Sequence, residues 1–210
     1  MALWPQVHVV DHPVVQQKLA AARDKRTRPP EFRRLVAEIS GLLVYESLRE
    51  AAVEAVEVAT PLGEAEGRII AGEITLVPIL RAGLVMAEGA ASLIPEVRIG
   101  HLGIYRDETS LEPVVYYNKL PPDVAETAVI VLDPMLATGR SCSEALAAVA
   151  SAGCQRITLV CVVATVQGIE RVTRNHPDVP IYVAAMDEAM DRKGFIQPGL
   201  GDVADRLFGI

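Results

Sequence analysis

Residues 129–143 read Val-Ile-Val-Leu-Asp-Pro-Met-Leu-Ala-Thr-Gly-Arg-Ser-Cys-Ser, and no other stretch limits the fold as tightly. A run of aliphatic and β-branched residues gives way to an acid, Asp133. A short loop carries Thr138 and Gly139, and Ser141 then opens a helical segment. A buried strand that delivers a loop with inward-turned backbone N–H groups, followed by the partial positive charge of a helix N-terminus, is the arrangement that holds a phosphate. A carboxylate beside such a cradle repels the phosphate itself. Asp133 is therefore expected to serve a neighbouring pair of hydroxyls or a metal ion, and a ribose phosphate suits that pairing better than a bare phosphate.

The same strand-then-helix rhythm runs along the chain. Asp11-His12-Pro13 opens a helix that continues to about Lys25, with a polar cap and a proline near its first turn. After a break at 26–30, spacing predicts a helix over 31–58, with Phe32, Leu35, Val36, Ile39, Leu42 and Leu43 on one side. Strands are expected over 74–78, 97–104, 114–117, 128–132, 157–164 and 181–185, and helices over 84–93, 141–152 (closed by Gly153) and 168–175. Strands that are apolar at nearly every position are covered on both faces, and their alternation with helices implies an α/β fold with a doubly wound, mostly parallel sheet. Ligands of such sheets sit at the carboxyl ends of the strands. Arg81, Arg106 and Asp133 each follow one.

At 210 residues the chain suits a single domain, 1–210, with a sizeable core. Only 4% of residues are aromatic, so that core must be built from Val, Leu, Ile and Ala. A net charge of −7 argues against a nucleic-acid partner held on a broad basic face. The opening Met-Ala-Leu-Trp-Pro-Gln lacks the basic region and long apolar run of a secretion signal, and no apolar stretch is long enough to span a membrane. Cys142, Cys154 and Cys161 are odd in number and lack metal-ligand spacing, which points to the reducing cytoplasm.

Three further segments bear on function. Val77-Pro78-Ile79-Leu80-Arg81-Ala82-Gly83 sets an arginine and a glycine just after a strand, and Ile104-Tyr105-Arg106-Asp107-Glu108-Thr109 sets a second arginine on a polar loop. Gly194-Phe195-Ile196-Gln197-Pro198-Gly199-Leu200-Gly201-Asp202 is a glycine-rich loop with few side chains to block a flat ligand. With the 133–139 loop, these segments resemble the uracil phosphoribosyltransferases, a family of type I phosphoribosyltransferases, over nearly the whole chain. Asp133-Pro134, where other type I families carry two adjacent acids, is the distinguishing pair.

The resemblance implies a type I phosphoribosyltransferase fold with N-terminal helices and a small C-terminal hood over the base. It implies transfer of ribose 5-phosphate from 5-phosphoribosyl 1-diphosphate to N1 of uracil, giving uridine monophosphate and pyrophosphate in pyrimidine salvage. Mg2+ is the implied cofactor, held mainly by the substrate and not by a protein metal site. By the same resemblance Asp133, Arg106 and Asp202 are the catalytic candidates. Arg81 and Arg106 would grip the diphosphate, as the guanidinium fork suits phosphate oxygens. Pro134, Met135, Leu136, Ala137, Thr138, Gly139, Arg140 and Ser141 would surround the 5′-phosphate, with Asp133 on the ribose hydroxyls and Asp202 on the diphosphate side. Ile196, Gly201, Asp202 and Val203 would meet uracil, largely through backbone groups. A cis peptide at Leu80–Arg81 is implied as well, as are a homodimer or higher homo-oligomer and guanosine triphosphate as an effector of some members.

Four positions depart from the family pattern. Arg140 stands for a second glycine, Val203 for alanine, Phe195 for tyrosine, and Ala164-Thr165-Val166-Gln167-Gly168 for Ala-Ala-Pro-Glu-Gly. Arg140 is costly only where the backbone needs positive φ, and the added methyl groups of Val203 either press on the base or are absorbed by repacking. These departures keep two other readings open: a 5-phosphoribosyl 1-diphosphate-binding regulator without turnover, and the same chemistry on a different nucleobase. Elsewhere the expectations are structural. Cys142 reads as a small buried thiol, Tyr116-Tyr117 as part of a β-arm or subunit contact, and Glu46, Glu50, Glu54 and Glu57 as a solvated helix face. The arginines of 26–34 form a surface loop or an anionic-effector site.

Overall fold

The computed structural model describes residues 4–106 and 112–210, with Arg106 described by its backbone alone. Strand β1 (Val7–Val9) leads into helix α1 (Pro13–Arg23). His12 is the N-cap of α1: its Nδ1 accepts from the Val14 amide at 3.2 Å, and Pro13 takes a first-turn position where an N–H is not needed. Helix α2 (Pro29–Ser47) likewise opens on prolines.

The expected 31–58 helix stops at Ser47. Residues beyond it form an antiparallel hairpin of β2 (Val53–Thr60) and β3 (Gly63–Ile70), in register from Val53↔Ile70 to Thr60↔Gly63. Thr60 Oγ1 closes the turn by donating to the Gly63 carbonyl at 2.8 Å. Glu54 and Glu57 therefore lie on a strand and not on a helix face with Glu46. Both faces of this arm are mostly open, so no one-sided alternation marks it. Its one usable signal is the Pro61–Gly63 turn after the valines of β2, since β3 has β-branched residues only at Ile69 and Ile70.

The chain continues through β4 (Ile74–Leu80), α3 (Gly83–Leu93), β5 (Arg98–Ile99), β6 (His101–Arg106) and β7 (Pro113–Lys119). A 3-10 turn at Val124–Glu126 precedes β8 (Ala128–Leu132), β9 (Met135–Leu136), α4 (Arg140–Ser151), β10 (Arg156–Thr165), α5 (Val166–Asn175) and β11 (Ile181–Asp187). Last come β12 (Ala189–Met190), β13 (Ile196–Gln197) and α6 (Val203–Phe208). The expected 97–104 strand is interrupted at Gly100, and both halves pair with β4.

The main sheet runs β1-β11-β10-β8-β4-β6-β7, with β5 also on β4 and β9 also on β10. Every pairing in it is parallel except β6–β7. Alternate residues of each central strand enter opposite cores, as the pleat requires. Ile130, Leu132, Val160 and Val162 pack with α1, α2, α3 and α6 on one face. Val129, Val131, Leu159 and Cys161 pack with α4 and α5 on the other. The uniformly apolar strand sequences thus reflect burial on both faces. Among the described residues no helix is long and apolar enough to cross a membrane.

The C-terminal helix is fixed to the first core by an unusual anchor. The Arg206 guanidinium lies 3.9 Å from the centre of the Phe32 ring and donates to the carbonyls of Ala22 and Leu200, each at 2.8 Å, and Asp24 at 2.9 Å. Burial lowers its pKa, so the ring face and the carbonyl dipoles stand in for lost water. Phe32 is fully buried. Phe32→Ala is predicted to cost about 3–5 kcal/mol of stability in chemical denaturation, combining a large cavity with loss of the arginine's platform. A loss under about 1 kcal/mol would show that the site collapses and the anchor is dispensable.

Candidate active site

The strand-end residues meet along one edge. Leu80, Leu132, Thr165 and Asp187 close β4, β8, β10 and β11, and the loops that follow share the space above them. The loop after β8 is laid back along β10. Asp133 donates its amide to the Val160 carbonyl at 3.2 Å, and the Pro134 carbonyl accepts from the Val162 and Val163 amides, both at 3.1 Å. Met135 and Leu136 then pair with Val163 and Ala164.

Helix α5 fixes the next turn. The Thr165 hydroxyl, which caps α5 by accepting from the Gly168 amide at 3.0 Å, donates to the Ala137 carbonyl at 2.7 Å. Arg171 Nε donates to the Thr138 carbonyl at 2.8 Å. In a trans peptide the N–H points opposite to the C=O. Tying these two carbonyls toward α5 therefore turns the amides of Thr138 and Gly139 the other way, into the open loop. Gly139 follows with φ +75°, and a Cβ there would come 2.7 Å from the Gly168 carbonyl oxygen. The positive φ thus falls on Gly139. Arg140 is an ordinary first residue of α4, so its side chain strains nothing. Gly139, the N-cap of α4, has no side chain with which to cap it, and the first turn of the helix opens on the same loop.

Asp133 sits at the head of this loop. Its Oδ1 accepts from the Met135 amide at 3.2 Å, and its Oδ2 takes the Cys142 thiol at 3.6 Å. Burial pushes its carboxyl up to about 6, against the lowering effect of those two donors. The Cys142 thiol is held well above its ordinary value, first by its hydrogen bond with Cys161 and then by burial, so it is the inert thiol expected. Arg81 follows β4 across a Leu80–Arg81 bond that is cis, as the resemblance implied. Its guanidinium is exposed and lies 5.7 Å from the centre of the Phe208 ring.

Opposite the phosphate turn stands the hood. β12 and β13 form a short antiparallel pair, closed by Asp191 Oδ1, which accepts from the amides of Lys193 (2.8 Å) and Phe195 (2.9 Å). Asp202 is the N-cap of α6, its Oδ1 accepting from the Asp205 amide at 3.0 Å. Between turn and hood lies a cleft of about 290 Å³, lined by Asp133, Pro134, Met135 and Ala137 on one side and Gly194, Phe195, Gly201, Asp202, Val203 and Ala204 on the other, with Ala82 at its edge. A larger cleft of about 550 Å³ lies at the other end of β4, where Ile69, Ile70, Leu93 and Ile94 offer aliphatic walls beside Glu73 and Glu96.

The structure thus brings together seven of the sequence-predicted residues around one space: Asp133, Pro134, Met135, Ala137, Gly201, Asp202 and Val203. Leu136, Thr138, Gly139, Arg140 and Ser141 form the adjoining turn and helix start. Ile196 does not line the cleft; its side chain is 2% exposed, in the core beneath the hood. Val203 lines the cleft yet is itself buried against that core, which absorbs its methyl groups. The side chain of Arg106, with Asp107, Glu108 and Thr109, lies outside the described residues. Arginines 26, 33 and 34 bond to Asp24, the Leu207 carbonyl and Glu38. The expected surface loop ends at Arg28, the N-cap of α2, so Arg33 and Arg34 stand on a helix and are spent on contacts within the protein. Sequence reasoning missed Thr165, Arg171, Arg23, Asp187 and Arg206. Asp187 carried a usable signal, since it ends an apolar strand just as Asp133 follows one.

Comparison with known proteins follows the same geometry. The family model described as uracil phosphoribosyltransferase matches residues 9–210. A uracil phosphoribosyltransferase of Dictyoglomus turgidum is 51% identical over 204 residues, covering 97% of this chain and 99% of that one. One of Thermus thermophilus is 48% identical over 205 residues, covering 97% and 99%. Among solved structures, a protein of Aquifex aeolicus superposes with a TM-score of 0.92 at 36% identity, covering 97% of this chain and 98% of its own. A purine phosphoribosyltransferase of Pyrococcus horikoshii, at 15% identity and a TM-score of 0.51 over 73% and 83% of the two chains, shares the fold. With identity near one half sustained from end to end, and with the strand-end loop and hood where a phosphoribosyl ligand would need them, the chain belongs to the uracil phosphoribosyltransferase family.

Proposed function

We propose that this chain, as one phosphoribosyltransferase domain, moves ribose 5-phosphate from 5-phosphoribosyl 1-diphosphate to N1 of uracil, releasing pyrophosphate and giving uridine monophosphate for pyrimidine salvage in the cytoplasm. One observation carries the reading. A helix start with glycine at its N-cap and two amides turned into the loop adjoin a cleft that holds a carboxyl group shifted to about 6 and a loop of small residues. The first pair suits a 5′-phosphate, the acid suits ribose hydroxyls and the positive charge that develops on the sugar, and the loop admits a flat base.

In this reading the amides of 138–141 and the hydroxyls of Thr138 and Ser141 hold the 5′-phosphate. Asp133 accepts from the ribose hydroxyls, and its ionised form stabilises the cationic sugar as the diphosphate departs. Arg81 and Arg106 hold the leaving diphosphate. Backbone groups of Gly201 and Val203, both lining the cleft, read uracil, and a base with the opposite donor pattern leaves a buried group unpaired. A Mg2+ ion bound with the diphosphate would neutralise its charge. Such a cation takes most of its ligands from phosphate and water and needs one or two carboxylates. Asp133 and Asp202 both line the cleft, two carboxylates beside the space for the diphosphate, so the residues fit a metal carried by substrate. The helical setting of Arg140 and the burial of Val203 account for two of the four departures that motivated a regulator without turnover or another base.

The β2–β3 arm supports a homodimer. It exposes Val53, Val58, Leu62, Ile69 and Ile70, and a lone two-stranded hairpin is at best marginally stable in water. A second copy covering the arm accounts for both.

Purified protein given Mg2+, 5-phosphoribosyl 1-diphosphate and uracil is expected to form uridine monophosphate by chromatography, with no product from cytosine, orotate or hypoxanthine. Binding of 5-phosphoribosyl 1-diphosphate without turnover on any base would overturn the enzyme reading. Asp133 is neutral below its pKa and charged above it, so kcat/KM should fall as pH drops through about 6. Asp133→Asn should lower kcat by about 10²–10³-fold and abolish that acidic limb; a limb that survives belongs to another group. Light scattering is expected to give a dimer mass, with Leu62→Asp shifting it toward monomer; a monomer in the unsubstituted protein would refute the arm's role.

A further inference from the structure

Gly199 of the hood is gripped at both of its polar backbone atoms by one ion pair. Arg23, the last residue of α1, forms a two-bond fork with Asp187 at the end of β11: Nη1 to Oδ2 at 2.8 Å and Nη2 to Oδ1 at 2.7 Å. The same Oδ2 accepts from the Gly199 amide at 2.9 Å, and the same Nη1 donates to the Gly199 carbonyl at 2.8 Å. The ring closes on itself: α1, β11 and the hood loop meet at four charge-assisted bonds. Asp187 is 6% exposed, so the geometry is not softened by solvent. The glycine is obligatory, because its φ is +56° and a Cβ would collide with the Ile196 carbonyl. Next along the chain, Arg206 ties the Leu200 carbonyl to the Ala22 and Asp24 carbonyls on either side of Arg23.

Neither Arg23 nor Asp187 lines the cleft, but Gly201, Asp202 and Val203, immediately beyond the clamped segment, do. We propose that Arg23 and Asp187 are positioning residues for base recognition: their ring with Gly199 sets the height and tilt of the 201–203 backbone over the strand ends. The ring reaches the hood from α1 and β11, whereas the phosphate turn is held by β10 and α5. The two halves of the site therefore have separate supports, and breaking the ring disturbs the base half alone. This inference rests on the assignment of 201–203 to the base.

The test is steady-state kinetics on Asp187→Asn, Arg23→Lys and the double variant, with KM for uracil and for 5-phosphoribosyl 1-diphosphate measured separately. Each single variant should raise KM for uracil about tenfold or more and leave KM for the diphosphate substrate within about twofold, and the double variant should be no worse than the singles, because the first cut already opens the ring. Uracil KM within about twofold of the parent in the folded variants, or both KM values rising together, would overturn the proposal. If Asp187→Asn does not fold, Arg23→Lys keeps the charge and stem while losing the fork. Hydrogen exchange in the unsubstituted protein needs no variant: the Gly199 amide should be protected, and free exchange there would also overturn the ring. Gly201→Ala separates the two layers: at φ +72° a side chain strains the 201 backbone directly, while its Cβ meets only Arg206 Cδ at 3.6 Å and leaves the ring untouched. A rise in uracil KM for Gly201→Ala without one in the ring variants sinks the ring alone. An unchanged uracil KM for Gly201→Ala sinks the base-loop assignment and the inference with it.

Discussion

The directions of two carbonyl groups, those of Ala137 and Thr138, decide what the strand edge can bind. Peptide planarity couples each carbonyl to the amide after it, so whatever holds the oxygens aims the hydrogens. Thr165 and Arg171 hold them from α5, and β10 holds the residues just before. Without those tethers the 137–139 segment would be a loop free to turn its oxygens toward an incoming anion. The close contact that a Cβ on Gly139 would make with Gly168 shows how tightly the turn is pressed onto α5. Helix α5 matters to the site without lining it. The Ala164-Thr165-Val166-Gln167-Gly168 segment, a departure from the family pattern, supplies the hydroxyl that makes this link.

Those tethers are only as good as the sheet that carries them. β10 lies between β8 and β11 and is buried along most of its length, with α2 on one face and α4 and α5 on the other. A parallel sheet covered on both faces deforms little, so its strand ends make a fixed floor. Loops set on that floor inherit its precision, while the hood borrows rigidity from α1 through the half-buried Arg23 and Arg206. The phosphate turn and the hood thus answer to different parts of one frame, and the cleft is the gap between them.

The frame was legible in the sequence because its signals are local and redundant. Apolar runs, a Gly-closed helix and the Asp133–Ser141 succession each name an element, and β8 and α4 fall within one residue of expectation. What escaped lacks such redundancy. The β2–β3 arm is open on both faces, so its valines and glutamates satisfy helical spacing as readily as strand spacing. β1 is three residues long and pairs with one neighbour. Arg23 and Asp187 are 164 positions apart, and nothing in either local sequence announces the other. The site was legible where one segment builds it, in the phosphate turn, and obscure where distant segments must meet, in the supports of the hood.

Asp133 and Asp187 show where that limit lies. Each stands at the carboxyl end of a buried parallel strand, and in sequence only the loop that follows Asp133 sets it apart. The fold assigns them opposite tasks through their partners. Asp187 meets a guanidinium fork and a backbone amide, which satisfies its charge inside the protein and makes it a strut. Asp133 meets one amide and one thiol, and burial wins: its carboxyl rises to about 6. Among the described residues no cation contributes to that shift. A carboxylate poised this way, partly buried and short of positive charge, gains most from a ligand that brings some. A metal-bound diphosphate and a sugar turning cationic bring it at the moment of transfer, so the electrostatic reward falls on the transition state more than on the resting complex.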